Sequence, residues 1–220
     1  MENIISSVKT FLEDANFKWT ICGGCAIDLF IGKITRTHMD VDIFAFWEDR
    51  PNIITFMINK GWRVFEACGG GKVIELFDSS KTQMKRNLFC FPSSNTRCAL
   101  QPTNEKNTYQ FSIKTNEQVD FDYIEFLFNQ KDENYFYYIL NDHSIKQSIN
   151  SAFLIKDGLQ YLSPEIVLLY KSTYINSIDA SKHEQDFNSS LPHLSIEQKQ
   201  WLKRSLEICH ADTHEWIPKL

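Results

Sequence analysis

Asp40-Val41-Asp42-Ile43 sets two acids two residues apart in an apolar, β-branched run, and Ile21-Cys22-Gly23-Gly24-Cys25-Ala26 breaks an earlier apolar run with a glycine pair. In a strand, residues i and i+2 point to one face. The spacing therefore predicts Asp40 and Asp42 side by side, with Val41 and Ile43 turned into a core. Two parallel carboxylates on a rigid strand are costly unless a cation lies between them. Oxygen donors suit a hard ion, and Mg²⁺ where phosphates are also present. The glycine pair offers backbone that can approach a phosphate closely, with helix N–H groups behind it. Together the two stretches predict a site for a metal-bound nucleoside triphosphate.

Transfer chemistry at such a site needs bridging metal ions, in-line positioning and cationic groups. A third carboxylate on a neighbouring strand completes a two-ion site. The run Val119 to Phe128 offers Asp120, Asp122 and Glu125. Pleat parity puts Asp120 and Asp122 on one face and Glu125 on the other. Glu125 is favoured because an acid inside Tyr-Ile-Glu-Phe-Leu-Phe is expensive without a ligand role; Asp122 is the second candidate. Arg36 reads either as a phosphate clamp or as a salt-bridge partner, with Asp28 a candidate mate. His38 reads as a triphosphate neighbour or a strand-entry histidine making local hydrogen bonds. Lys171 reads as a phosphate ligand or a snorkelling surface lysine. Lys182 reads as a phosphate ligand or as half of an i,i+4 ion pair with Asp186. His193, His210 and His214 are scattered and read as surface residues.

The elements that must position these groups follow from periodicity. Apolar positions Ile4, Ile5, Val8, Phe11 and Leu12 predict a helix over 2–15. Trp19 to Cys22 and Val41 to Phe46 read as strands, with a short helix from Ala26 to Ile31 between them, stopped by Gly32. Pro51 opens a helix that ends at Gly61. Trp62–Ala67 and Lys72–Phe77 read as strands around Gly69-Gly70-Gly71, a tight turn rather than a phosphate loop, since no G-K-[ST] follows. Residues 78–118 read as loops and short strands, with Tyr109 to Ile113 a candidate. The 119–128 strand is expected to form a hairpin through 129–134 with Tyr135–Leu140. Asp157-Gly158 signals another turn. Ser163 caps a helix with Pro164 at its first position. Further helices are expected over 180–187 and 195–209, with Ser195 and Gln198 as a capping box. The fold class is α+β (α/β), divided into a core over 1–140 and a mainly helical part over 141–220.

Composition sets limits on these readings. Hydrophobic content of 43% and charged content of 23% are ordinary for a globular protein, while 17 Phe imply a densely packed interior. The net charge of -5 argues against a nucleic-acid partner held on a broad basic surface. Cys22 and Cys25 form C-x-x-C, but no second pair completes a zinc site. All six cysteines are expected to be reduced in a cytoplasmic protein. No signal peptide or run of about 18 apolar residues is present, so no membrane segment is expected.

The run Gly23-Gly24-x-Ala26-Ile27-Asp28, Gly32, then Thr35-Arg36-x-His38-x-Asp40-x-Asp42 resembles the nucleotidyltransferase superfamily, and within it the small-molecule branch of aminoglycoside and lincosamide nucleotidyltransferases. Arg63–Cys68, Tyr161–Lys171 and Lys182-x-x-x-Asp186-Phe187 resemble members of the same branch. The resemblance implies a mixed-sheet catalytic core flanked by helices, with a C-terminal helical region. It implies ATP as donor, Mg²⁺ (two ions), and transfer of AMP to a hydroxyl of a small molecule, an aminoglycoside- or lincosamide-like antibiotic among the candidates, with release of pyrophosphate. It matches Gly23 and Gly24 to the triphosphate-holding pair and Asp40 and Asp42 to the metal-binding acids. The third acid, as metal ligand or base, matches Glu125 or Asp122. Relatives carry an Arg-rich segment where this chain has Tyr137–Asp142. Two rival readings are a nucleotidyltransferase that modifies protein or tRNA, as in toxin–antitoxin systems, and a non-catalytic nucleotide-binding module.

Overall fold

The computed structural model describes residues 2–38, 40–81, 87–94, 98–113, 123–140, 144–173 and 179–220. Among them the chain forms twelve strands and seven α-helices, an α+β fold. It divides into two compact units, one of residues 1–19 and 38–128 and the other of residues 20–37 and 129–220.

The first unit is built on a largely antiparallel sheet. Its strands are β2 (Val41–Phe46), β3 (Trp62–Gly69), β4 (Lys72–Leu76), β5 (Leu88–Pro92), β6 (Cys98–Pro102), β7 (Thr108–Ile113) and the start of β8 (Ile124–Lys131). Their spatial order is β2-β8-β5-β3-β4-β7-β6. The described residues of the polar stretch 78–118 thus include three strands, of which only β7 was legible. Phe89, Phe91 and Phe111 supply the β-forming surface there, but intervening Ser, Asn and Thr obscure the period of two. Gly69, Gly70 and Gly71 all have left-handed φ values, 84°, 59° and 72°, which the β3–β4 turn requires.

Two helices cover this unit. α1 (Glu2–Phe11) buries Ile5 and Val8, and Phe11 packs on Trp62 with ring centroids 4.7 Å apart. α3 (Arg50–Asn59) buries Ile53, Ile54 and Met57 completely. It is tied to β3 by a buried ion pair, Arg50 Nη2 to Glu66 Oε2 at 2.5 Å. The sheet face bearing Phe65, Val73, Phe91 and Tyr123 forms an aromatic cluster. Tyr123 stacks on Phe91 at 4.7 Å with planes 8° apart. Each such ring contributes about 1.5–3 kcal/mol by burial.

The second unit begins with β1 (Thr20–Ile21), which pairs in parallel with β12 (Leu159–Leu162) through Ile21 and Tyr161. β12 forms a hairpin with β11 (Phe153–Lys156) across the expected turn, where Asp157 and Gly158 have φ values of 52° and 73°. β9 (Tyr135–Tyr137) pairs with the end of β8 and with β10 (Lys146–Ser148). β8 runs on to Lys131, so the hairpin turn is shorter than 129–134.

The helices of this unit are α2 (Gly23–Ile31), α4 (Ile149–Ala152), α5 (Pro164–Ser172), α6 (Ala180–Ser190) and α7 (Ile196–His210). Ser195 and Gln198 form the expected capping box on α7. Ser163 occupies the N-cap of α5, but its side chain makes no capping bond. α5 buries Ile166, Leu168 and Leu169 fully and packs against α7. His214 is not at the surface. It is 3% exposed, its Nδ1 accepts from the Trp216 N–H at 3.1 Å, and its Nε2 faces the Ser172 carbonyl at 3.3 Å. No helix of the described residues is long and apolar enough to cross a membrane.

Candidate active site

In the first unit, β2 shows the predicted alternation at its start. Val41 and Ile43 are wholly buried, while Asp42 is half-buried, as is Asp40 at the strand entrance. Glu125 lies on β8, where its backbone pairs with Phe89 of β5. Its side chain shares a face with Tyr123, two residues earlier. Asn87 Nδ2 donates to Glu125 Oε1 at 3.1 Å, and the Tyr123 hydroxyl sits 3.4 Å from Oε2. Desolvation, then the charges of Asp42 and Asp40, push the Glu125 carboxyl well above the usual carboxylate range, against those two hydrogen bonds. Burial and the charges of Glu125, Asp40 and Asp42 likewise push the Tyr123 phenol well up. Asp40, Asp42 and Glu125 therefore share one electrostatic neighbourhood. Asp122 and Asp120 lie outside the described residues.

Among the described residues, no three His, Cys, Asp or Glu side chains close on a point as a formed metal cage. Both Glu125 oxygens are instead directed at Asn87 and Tyr123. The donor chemistry nonetheless fits a hard divalent ion. All three groups are carboxylates, and the mutual repulsion that raises Glu125 is what a cation would relieve.

In the second unit, the helix begins at Gly23 rather than at Ala26. Gly23 has φ 61°, a left-handed value that explains the glycine, and Cys22 provides no side-chain cap. The N-terminus of α2 thus presents backbone N–H groups around Gly23 and Gly24. Cys22 and Cys25 are buried and not joined in a disulfide. At the other end Gly32 takes φ 88° and Lys156 Nζ donates to the Leu29 carbonyl at 2.9 Å.

Asp28 and Arg36 each make contacts that the sequence did not suggest. Asp28 Oδ1 instead accepts from the Thr35 N–H at 2.9 Å and the Thr35 hydroxyl at 2.6 Å. Arg36 makes a two-point contact with Asp186 of α6, Nε to Oδ1 at 2.9 Å and Nη2 to Oδ2 at 3.1 Å. Lys171 of α5 adds Nζ to Asp186 Oδ2 at 2.9 Å. Lys182 does not pair with Asp186; it donates to Asp179 Oδ1 at 2.7 Å on an exposed edge. Asp186 is fully buried. Desolvation pushes its carboxyl up, but the Arg36 hydrogen bond and the charges of Lys171 and Arg36 more than reverse this, leaving it below the usual range. His38 falls in the first unit and is partly exposed. Sequence reasoning did not single out Asn87 as the neighbour of Glu125 in the first unit, nor Asp186 as the partner of Arg36 and Lys171 in the second. Asn87 lies in the polar stretch with no period, and Asp186 was read as a partner for Lys182 and as part of a family-like Lys182-x-x-x-Asp186-Phe187 stretch.

The sequence profile of the aminoglycoside-2''-adenylyltransferase family matches residues 4–137. No curated protein sequence matches the chain significantly. Among solved structures, the fold is similar to ANT(2'')-Ia in complex with adenylyl-2''-tobramycin, at 13% identity and a TM-score of 0.54, with 93% of this chain and 96% of that chain covered. It is also similar to the lincosamide antibiotic adenylyltransferase LnuA bound to lincomycin, at 14% identity and a TM-score of 0.50, covering 85% and 97% of the two chains. The carboxylate-bearing strands and the glycine-led helix thus sit in a chain that belongs to the aminoglycoside-2''-adenylyltransferase family, and the protein is a nucleotidyltransferase.

Proposed function

We propose that this enzyme transfers AMP from ATP to a hydroxyl of a small antibiotic-like molecule and releases pyrophosphate. The observation that carries this reading is the shared field of Asp40, Asp42 and Glu125, with Glu125 anchored through Asn87 and Tyr123. Family membership and the structures bound to adenylyl-tobramycin and lincomycin support the acceptor class.

Asp40 and Asp42 would hold Mg²⁺, with Glu125 as the third ligand or as base. When bound, the ion would offset charge building on the phosphates. Gly23 and Gly24 offer N–H groups to phosphate oxygens, and Arg36 and Lys171 bring positive charge. Lys182, engaged with Asp179 at an exposed position, contributes less to this reading. Glu125 suits the base role because its environment raises its proton affinity. It takes the proton of the acceptor hydroxyl as that oxygen bonds to the α-phosphorus. The bond from the α-phosphorus to its bridging oxygen breaks, and pyrophosphate leaves with the electron pair.

The test uses ATP labelled in the α-phosphate, Mg²⁺, and a panel that includes tobramycin and lincomycin, with pyrophosphate release measured in parallel. Label should move to one acceptor class and be lost in Asp40→Asn. Undiminished transfer by that variant would refute the assignment.

A further inference from the structure

Ser172, the last residue of α5, anchors two histidines that the proposed reaction does not use. Its hydroxyl donates to the Leu169 carbonyl at 2.7 Å, so toward His210 Nε2, 3.1 Å away, it can only accept. The Ser172 carbonyl accepts the Nε2–H of His214 at 3.3 Å. His214 Nδ1 accepts the Trp216 N–H at 3.1 Å. The two bonds together hold this buried ring in one neutral tautomer, with its proton on Nε2 and a lone pair on Nδ1. A second proton would go onto Nδ1 and meet the Trp216 N–H donor against donor.

Trp216 is fully buried, and its ring stacks on Phe187 of α6 with centroids 4.3 Å apart and planes 6° from parallel. Its Nε1 donates to Glu184 Oε2 at 2.5 Å, and Lys219 pairs with Glu184 Oε1 at 2.9 Å. Residues 211–220 are thus fastened to α6 through one indole and one carboxylate, and His214 aims the backbone that carries the indole. The charged or titratable groups facing His214 are His210 of α7, its ring 4.7 Å away, Glu184 of α6 and the neighbouring Glu215; α5 presents the Ser172 carbonyl. Burial, then the charge of His210, push the His214 imidazole below the usual histidine range, and Ser172, Glu215 and Glu184 offset this in part.

We infer that residues 211–220 form a latch on α6 that acid releases, with His214 as its proton-sensitive catch. While the ring is neutral, it holds the Trp216 backbone and the indole stays on Phe187. When the ring takes a proton, it gains a donor where an acceptor is needed and a charge where water is excluded. Both costs are relieved when the segment swings out, which uncovers Phe187. A histidine that the fold holds neutral contributes stability that is complete above the unfolded value of about 6.5 and is lost as pH falls below it. Glu184 does not titrate in that interval. Desolvation pushes its carboxyl up, but hydrogen bonds from Lys219, Trp216 and Asn188 more than reverse this and leave it below the usual range. The latch is independent of the reaction proposed above.

The test takes the full chain from about pH 7.5 to about pH 5. Nitrogen NMR of histidine-labelled protein reads the tautomer and titration of His214. Hydrogen exchange, corrected for its intrinsic pH dependence, reads the amides of residues 211–220 against those of α5 and α7. At about pH 7.5 His214 should be neutral with its proton on Nε2. By about pH 5.5 protection of residues 211–220 should fall several-fold, up to about tenfold, the limit for one proton taken up one pH unit below about 6.5. α5 and α7 should stay protected, and neutralisation should restore the segment. His214→Gln, whose amide can both accept and donate without titrating, should keep its protection across the range. An imidazolium or an Nδ1–H tautomer at about pH 7.5 would overturn the latch, as would equal acid loss in His214→Gln. Loss of α5 and α7 together with the segment would overturn it too, since that is global unfolding. If His214→Gln fails to hold the segment even at neutral pH, the wild type decides: release that tracks the His214 titration supports the latch, and release at another pH overturns it.

Discussion

Replacing Asp42 by Asn should make the metal-free protein more stable and the enzyme inactive. Asp40 and Asp42 lie two residues apart, so at a strand rise of about 3.3 Å per residue their separation is about 6.6 Å. Two like charges at that distance repel by about 2.5 kcal/mol at an effective dielectric of about 20. Both residues are half-exposed, and solvent screening reduces this to about 1 kcal/mol. Removing the Asp42 charge also relieves Glu125, whose carboxyl it pushes upward. For a chain of 220 residues, about 1 kcal/mol corresponds to a Tm rise of about 2–4 °C. The assay is thermal unfolding of both proteins in chelator and again in excess Mg²⁺. An ion at a hundredfold excess over its Kd adds about 2.7 kcal/mol to a protein that binds it. The wild type should therefore overtake Asp42→Asn when Mg²⁺ is added, while AMP transfer by the variant falls by about 10²–10³ or more. A variant less stable than wild type in chelator, or one that Mg²⁺ stabilises equally, would refute the shared-carboxylate argument.

Tyr123→Phe and Asn87→Ala each remove a donor from Glu125; kcat should fall by about tenfold with KM for ATP little changed, and unchanged turnover in the double variant would show that Glu125 needs no anchoring. Glu66→Ala strips a buried Arg50 of its carboxylate and should cost about 3–5 kcal/mol in urea unfolding, whereas a loss under about 1 kcal/mol would show that the pair is inconsequential. The lowered Asp186 carboxyl contributes stability that is present above the unfolded-chain value of about 3.9 and is lost as pH falls through its lower folded value. Acid unfolding of the wild type should steepen below about pH 4, and Asp186→Asn should show a flatter curve over that range; superimposable pH profiles would contradict this.

The sequence by itself determined what depends on near neighbours. The period of two at Asp40 and Asp42 set both acids on the face opposite Val41 and Ile43, because side chains alternate across a pleat; beyond Asp42 both faces of the strand are buried. The capping box of α7 and the Asp157-Gly158 turn were likewise local chemistry. Glu125 was favoured over Asp122 for its apolar flanks, and the structure places two donors beside Glu125.

Tertiary structure alone decided which charges meet. Arg36 had Asp28 close by in sequence, yet its partner lies 150 residues away, because packing of α6 delivers a fully buried carboxylate while Thr35 occupies Asp28. Lys182 was matched by helical spacing to Asp186, but the burial of that acid turned it toward Arg36 and Lys171 and left Lys182 to Asp179. Spacing along a chain fixes the direction of a side chain. It does not fix the desolvation that makes one carboxylate a demanding partner and another an optional one, and that burial exists only once distant helices and strands have packed.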